Sequence, residues 1–252
     1  MPDKITRNIR LIIEYDGTNY CGWQVQSRNP SKKSIQEVIE RVLSKILREK
    51  IKLIASGRTD AGVHARAQVA NFKTSSQLPI DKIQKALNGL LPDDISIHKA
   101  EIAPADFHSR FDAKSKTYRY TILNRRYPSA LYRDTVYFCQ YPLNVSLMRK
   151  ESRVLLGRHN FKSFRLTDKR ERNPVRTIKK ISVRKTAGSI EIDIEANGFL
   201  YNMVRSIIGT LIEIGRGKFP PGSMRRILLS KNRKFAGPTA PAKGLCLLKV
   251  SY

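Results

Sequence analysis

The order of periodic segments in the first half of this sequence constrains its fold more than any other feature. Ile9, Leu11, Ile13 and Tyr15 alternate with Arg10, Ile12, Glu14 and Asp16, which predicts a largely buried strand. Asp16 to Asn19 reads as a turn, and Tyr20 to Trp23 as a short extension. After a basic loop at Arg28 to Lys33, Ser34 and Glu37 form a capping box that opens a helix. Ile35, Val38, Ile39, Val42, Leu43, Ile46 and Leu47 make its apolar stripe. Strands follow at Lys52 to Ser56 and Val63 to Lys73. Pro79 opens a second helix with Ile80, Ile83 and Leu87 inward, closed by Gly89 and Pro92. Ile95 to Ile102 is a further strand. The order β-α-β-β-α-β is that of a ferredoxin-like unit, an antiparallel sheet with helices on one face.

Pro104 begins a new stretch, and a boundary between two domains, 1–104 and 105–252, is expected near it. Lys114 to Leu123 is a strand with Tyr118, Tyr120 and Ile122 on one face. Asn144 to Leu156 is a helix of weaker pattern, ended by Gly157, and Leu166 to Arg176 a charged, mobile loop. Thr177 to Arg184 and Ser189 to Asn197 pair across Ala187-Gly188. There Ile190, Ile192 and Ile194 alternate with Glu191, Asp193 and Glu195. These carboxylates suit a solvated strand face better than a metal or acid/base site, because alternation is what any half-buried strand shows. A long helix starts near Phe199. Its stripe is Leu200, Met203, Val204, Ile207, Ile208, Leu211 and Ile212, with Asn202, Arg205 and Gly209 on another face. A short helix at Pro220 to Leu229 and a strand at Leu245 to Val250 finish the chain. The expected class is α+β, two ferredoxin-like (RRM-like) subdomains sharing a mostly antiparallel sheet flanked by helices.

Charge narrows the function. The 252 residues hold 48 Lys and Arg against 21 Asp and Glu, a net charge of +27. Such an excess points to a polyanion, most simply nucleic acid. The basic residues are spread along the chain rather than gathered on one amphipathic helix, which argues against a membrane surface. No apolar run is long enough to span a bilayer and no signal peptide is legible, so a cytoplasmic protein is expected. Cys21, Cys139 and Cys246 and the four histidines show neither zinc nor disulfide spacing.

The stretch Ala55 to Ala70 holds the candidate chemistry. Asp60 stands among Arg58, Thr59, His64 and Arg66, between Gly57 and Gly62, in a loop that feeds a strand. It reads either as a catalytic carboxylate flanked by arginines or as an Asp-Ala-Gly turn paired with Arg58. A lone Asp can act as nucleophile or base, and an arginine beside it keeps it ionised. Arginines and aromatic rings are the groups that bind phosphates and stack on extruded bases. No Gly-rich phosphate loop and no legible Ser/His/Asp arrangement competes with it.

Ser56-Gly57-Arg58-Thr59-Asp60-Ala61-Gly62-Val63-His64-Ala65 resembles the signature of the tRNA pseudouridine synthase A family. Further stretches agree in order: Tyr15-Asp16-Gly17-Thr18 with Gly22-Trp23-Gln24, Phe107-His108 with Arg110-Phe111, and Ala113 to Tyr120. His159-Asn160-Phe161 with Ser163-Phe164, Phe199 to Arg205, and Pro241-Ala242-Lys243-Gly244-Leu245 complete the set. The departures from the family's common pattern are Ala67, where glycine is common, and Asn71 and Asn202, where histidine is common.

The resemblance implies a pseudouridine synthase fold and an isomerase acting on tRNA uridines on the 3′ side of the anticodon stem-loop. Asp60 would be the catalytic aspartate, by attack on sugar or ring or by proton abstraction. Tyr118 would pack on the target base, Arg205 would pair with Asp60, and Leu245 would line the uracil pocket. Arg58 would extrude the base or hold phosphate. It also implies a cytoplasmic homodimer gripping tRNA across both subunits, with no cofactor, metal or other protein partner. The same chemistry on another RNA, and a non-catalytic RNA-binding protein of the same fold, are the alternatives.

Overall fold

A computed structural model describes residues 6–24, 33–166 and 173–252. Most of the basic loop at Arg28 to Lys33 and the centre of the expected loop at Leu166 to Arg176 lie outside the described residues. The chain forms two compact units. One is Met1–Lys114 with Leu247–Tyr252, the other Ser115–Cys246. The stretch 105–114 therefore goes with the first unit, and the closing strand returns to it.

In the first unit, β1 (Arg7–Tyr15), α1 (Ile35–Leu47), β2 (Ile54–Ala55), β3 (His64–Thr74), α2 (Ile80–Leu90) and β4 (Ile95–Ala103) follow the expected order. β1 pairs antiparallel with both β3 and β4, and β2 pairs antiparallel with β3. Ile9, Leu11, Ile13 and Tyr15 are buried on one face of β1, as the alternation predicts. The capping box is present: Ser34 Oγ accepts the Glu37 N–H at 3.2 Å and Glu37 reaches back to the Ser34 N–H at 3.4 Å. Every residue of the α1 stripe is buried except Ile46, which is half-buried.

Tyr20 to Trp23 is not a strand. Its backbone bonds go elsewhere: Cys21 N–H to Lys33 O, and Trp23 N–H to Thr59 O, both across loops. Such non-local partners leave no local periodicity to read.

The second unit holds β5 (Ser115–Leu123), β6 (Tyr137–Phe138), α3 (Val145–Ser152), β7 (Gly157–Asn160), β8 (Val175–Thr186), β9 (Ser189–Ala196), α4 (Met203–Gly215) and α5 (Ser223–Ser230). β10 (Leu245–Ser251) starts in this unit and ends in the first. β8 begins at Val175, inside the segment expected to be loop. β9 pairs antiparallel with β5 and β8, and β7 with β8, while β6 runs parallel to β5. The register sets Tyr118, Tyr120 and Ile122 opposite Ile194, Ile192 and Ile190, all buried. Directly opposed residues share a face, so these six side chains form one apolar surface.

The other face differs from the solvated one expected. Arg119 spans Asp193 (2.7 Å) and Glu191 (3.1 Å), Arg184 joins both from β8, and Ser115 Oγ donates to Glu195. Glu191 and Asp193 are thus held by cations of neighbouring strands, and Glu195 by a hydroxyl. Among the described residues, no group of three or more His, Cys, Asp or Glu could hold a metal.

Candidate active site

Asp60 lies in the connection from β2 to β3 and is half-buried, while Arg58 and Arg66 are exposed. The start of the loop is anchored to β3. Ser56 Oγ donates to Gln68 Oε1 at 2.7 Å, and Gln68 Nε2 donates to the Gly57 carbonyl at 2.9 Å. At the centre, the buried hydroxyls of Tyr15 and Thr59 meet at 2.7 Å. The Thr59 carbonyl accepts the Trp23 N–H at 3.1 Å, and the Asp60 carbonyl closes a turn by accepting the Val63 N–H at 3.1 Å.

The chain after β1 presses on this loop through glycines. Gly22 has φ +102°, and a Cβ there would sit 2.6 Å from the Thr59 carbonyl oxygen; one on Gly17 would sit 2.1 Å from that of Val63. Only glycine permits such approach. Beside Gly17, Asp16 Oδ1 accepts the Thr18 N–H (2.9 Å) and hydroxyl (2.6 Å) and lies 3.0 Å from His64 Nδ1. Burial alone would raise the Asp16 pKa, but the Thr18 bonds and the His64 ring outweigh it and hold it below the usual carboxylate range. The consequence is a carboxylate on a fixed loop, a placement suited to nucleophilic or base chemistry.

In the second unit, Tyr118 is buried on β5, with the Phe199 ring edge-on to it at 5.2 Å. Arg205 sits on the first turn of α4. Its Nε donates to the Ala240 carbonyl at 2.7 Å and its guanidinium donates to Asn202 Oδ1 at 2.8 Å. The Arg205 carbonyl in turn accepts the Ala240 N–H at 3.1 Å. Asn202, at φ 58°, is the left-handed residue before the helix, and Asn tolerates that conformation well.

The segment before Leu245 is clamped along its length. A Cβ on Gly209 would lie 1.7 Å from the Pro238 carbonyl oxygen, so α4 and this segment touch backbone to backbone. The Gly237 N–H donates to Thr210 Oγ1 at 3.0 Å, and the Tyr120 hydroxyl donates to the Pro241 carbonyl at 3.0 Å. Gly244 lies flat on the Tyr120 ring. Leu245 follows at once, buried at the start of β10.

The expected site residues therefore fall in two sets, Arg58 and Asp60 in the first unit, Tyr118, Arg205 and Leu245 in the second. Within the second, the Ala240 and Tyr120 contacts fix the surroundings of Arg205 and Leu245. The sequence reading missed the supports: Tyr15, Thr59 and Trp23 around Asp60, and Asn202 and Ala240 around Arg205. Tyr15 and Trp23 stand in stretches that carry the family resemblance, but their function as buttresses appears only when the chain is folded.

An α+β chain with a carboxylate fixed in an arginine-bearing loop, and an arginine fixed on a helix beside a buried tyrosine strand, defines a class of enzyme-like protein. The family described as tRNA pseudouridine synthase matches residues 11–112 and 152–252, and the chain belongs to it. The tRNA pseudouridine synthase A of Clostridium acetobutylicum is 46% identical over 246 residues, covering 98% of this chain and 100% of the relative. Those of Caldicellulosiruptor bescii and Thermoanaerobacter pseudethanolicus are 47% and 44% identical over the same shares of each chain.

Proposed function

We propose that this chain isomerises uridine to pseudouridine on the 3′ side of the anticodon stem-loop of tRNA, with Asp60 as the catalytic carboxylate. The enzyme class is that of its family: an isomerase acting on tRNA. The reaction breaks the bond from N1 of uracil to C1′ of the ribose and forms one from C5 to C1′. C5 loses a proton and N1 gains one, and no electrons are exchanged with a co-reactant. Asp60 assists detachment of the base. Arg205 pairs with it and keeps it ionised. Tyr118 packs on the uracil and is the candidate for the group that removes the C5 proton. Leu245 lines the base pocket, and Arg58 holds phosphate or helps extrude the base, which must leave the stem to react. The N-terminal domain carries the aspartate. The working form is a cytoplasmic homodimer.

The observation that carries this reading is the fixing of Thr59, the residue next to Asp60, by the Tyr15 hydroxyl and the Trp23 amide, in a chain of charge +27. The test is incubation with unmodified tRNA transcripts and carbodiimide-stop sequencing, beside Asp60→Ala. Pseudouridine in the anticodon arm, lost in the variant, is expected. Pseudouridine elsewhere overturns the choice of target uridines. Binding with no modification of any transcript or of total cellular RNA overturns the catalytic reading.

A further inference from the structure

We infer that the turn His108 to Phe111 is a preformed stacking platform for an unpaired RNA base, with Arg110 as its phosphate anchor; this rests on the tRNA-modifying function proposed above. The Phe111 ring is 74% exposed. A large apolar ring left in water costs stability, so its position asks for a partner. It is not a loose side chain. The His108 ring stacks on it at 4.2 Å between centroids and 28° between planes, and the Arg110 guanidinium lies 5.6 Å from its centroid.

The turn beneath is rigid. His108 Nδ1 accepts the Arg110 and Phe111 N–H groups at 3.2 and 3.3 Å, and the Asp112 carboxylate accepts the His108 N–H at 2.8 Å. Ser109 is fully buried, with its N–H and hydroxyl both donating to Asn71 Oδ1 at 3.0 and 2.7 Å. The Ser109 carbonyl accepts the Tyr252 hydroxyl at 2.8 Å. Asn8 Nδ2 donates to the carbonyls of Pro104 and Phe107, both at 2.9 Å, and Asn71 Nδ2 donates to Asn8 Oδ1.

Nothing in the Asp60 chemistry uses this construction. An exposed ring, backed by a second ring and with a guanidinium over it, joins a π surface to a cation. That is the pairing by which proteins hold single-stranded bases. The excess of positive charge selects RNA over a protein partner as the occupant. An ordered platform needs no rearrangement to bind, which favours affinity.

The test uses the full chain and fluorescently labelled unmodified tRNA, with affinity read at several salt concentrations. Phe111→Ala is expected to weaken binding about tenfold without changing the slope of log K against log salt. Phe111→Trp is expected to restore it. Arg110→Gln is expected to lower the slope by about one counterion. Wild-type affinity in Phe111→Ala, or no rescue by Trp, overturns the inference. A loss explained by dissociation of oligomers on sizing also overturns it, since the ring then meets a second copy. Wild-type pseudouridine formation is measured alongside. If it is absent, the functional reading fails independently of Phe111; if it is present with Phe111→Ala binding unchanged, the platform alone fails.

Discussion

The hydroxyls of Tyr15 and Thr59 meet 2.7 Å apart, both buried, and so tie the first strand to the residue next to Asp60. The bond does more than add stability, because it fixes the backbone from which the carboxylate projects. Tyr15→Phe leaves the Thr59 hydroxyl without this partner and is expected to cost about 1–2 kcal/mol in urea unfolding. It is also expected to lower kcat several-fold with KM for tRNA within about twofold, since it disturbs placement of the carboxylate rather than RNA contact. Equal loss in both constants contradicts this.

Arg205 holds Ala240 O and Asn202 Oδ1 with different nitrogens of one guanidinium. A lysine keeps the charge but has no planar fork to span both. Arg205→Lys is expected to lower the single-turnover rate at least about tenfold. If Arg205 ionises Asp60, the acid limb of the rate–pH profile moves to higher pH in Arg205→Gln, because a carboxylate losing its cationic neighbour binds protons more readily. An unmoved limb assigns Arg205 to clamping Ala240 alone.

The Asp16 carboxyl titrates below its ordinary range in the folded chain, so its contribution to stability has a defined pH window. It is complete above the unfolded pKa of about 3.9 and is lost as pH falls through the depressed folded value. Asp16→Asn removes that window. Urea midpoints of the variant and the parent are expected to differ above the acid range and to converge as pH is lowered through it.

Two glycine-to-alanine changes should have opposite signs. Gly209→Ala drives a methyl into the Pro238 carbonyl, backbone against backbone, and is expected to cost about 3 kcal/mol or more. Gly89 lies inside α2 with open space around it. Gly89→Ala is expected to stabilise by about 0.5–1 kcal/mol, through helix propensity alone. Thermal melts of both variants separate the two effects.

The parts of the fold that could be read in the sequence are those whose causes are local. The Ser34–Glu37 box spans four residues and carries its own geometry, and the alternation of Ile9 to Tyr15 needs only a pleat. The parts that escaped have distant causes. Glu191 and Asp193 look solvated until Arg119 and Arg184 arrive from the flanking strands. Arg205 and Gly209 look like a free helix face until the segment at Pro238 to Ala240 covers them. The candidate site divides the same way. Asp60 stands out in its own ten-residue motif, whereas the hydroxyl that buttresses it comes from Tyr15, on another strand.

The return of Leu247–Tyr252 to the first unit sets a timetable for biosynthesis. Domains of a nascent chain usually fold in order as they leave the ribosome. Here the earlier unit must wait. Its β3 lacks a neighbouring strand, and Ser109 lacks the Tyr252 hydroxyl, until the whole of Ser115–Cys246 has been translated. A message cut short at its 3′ end would therefore damage the half that was made first.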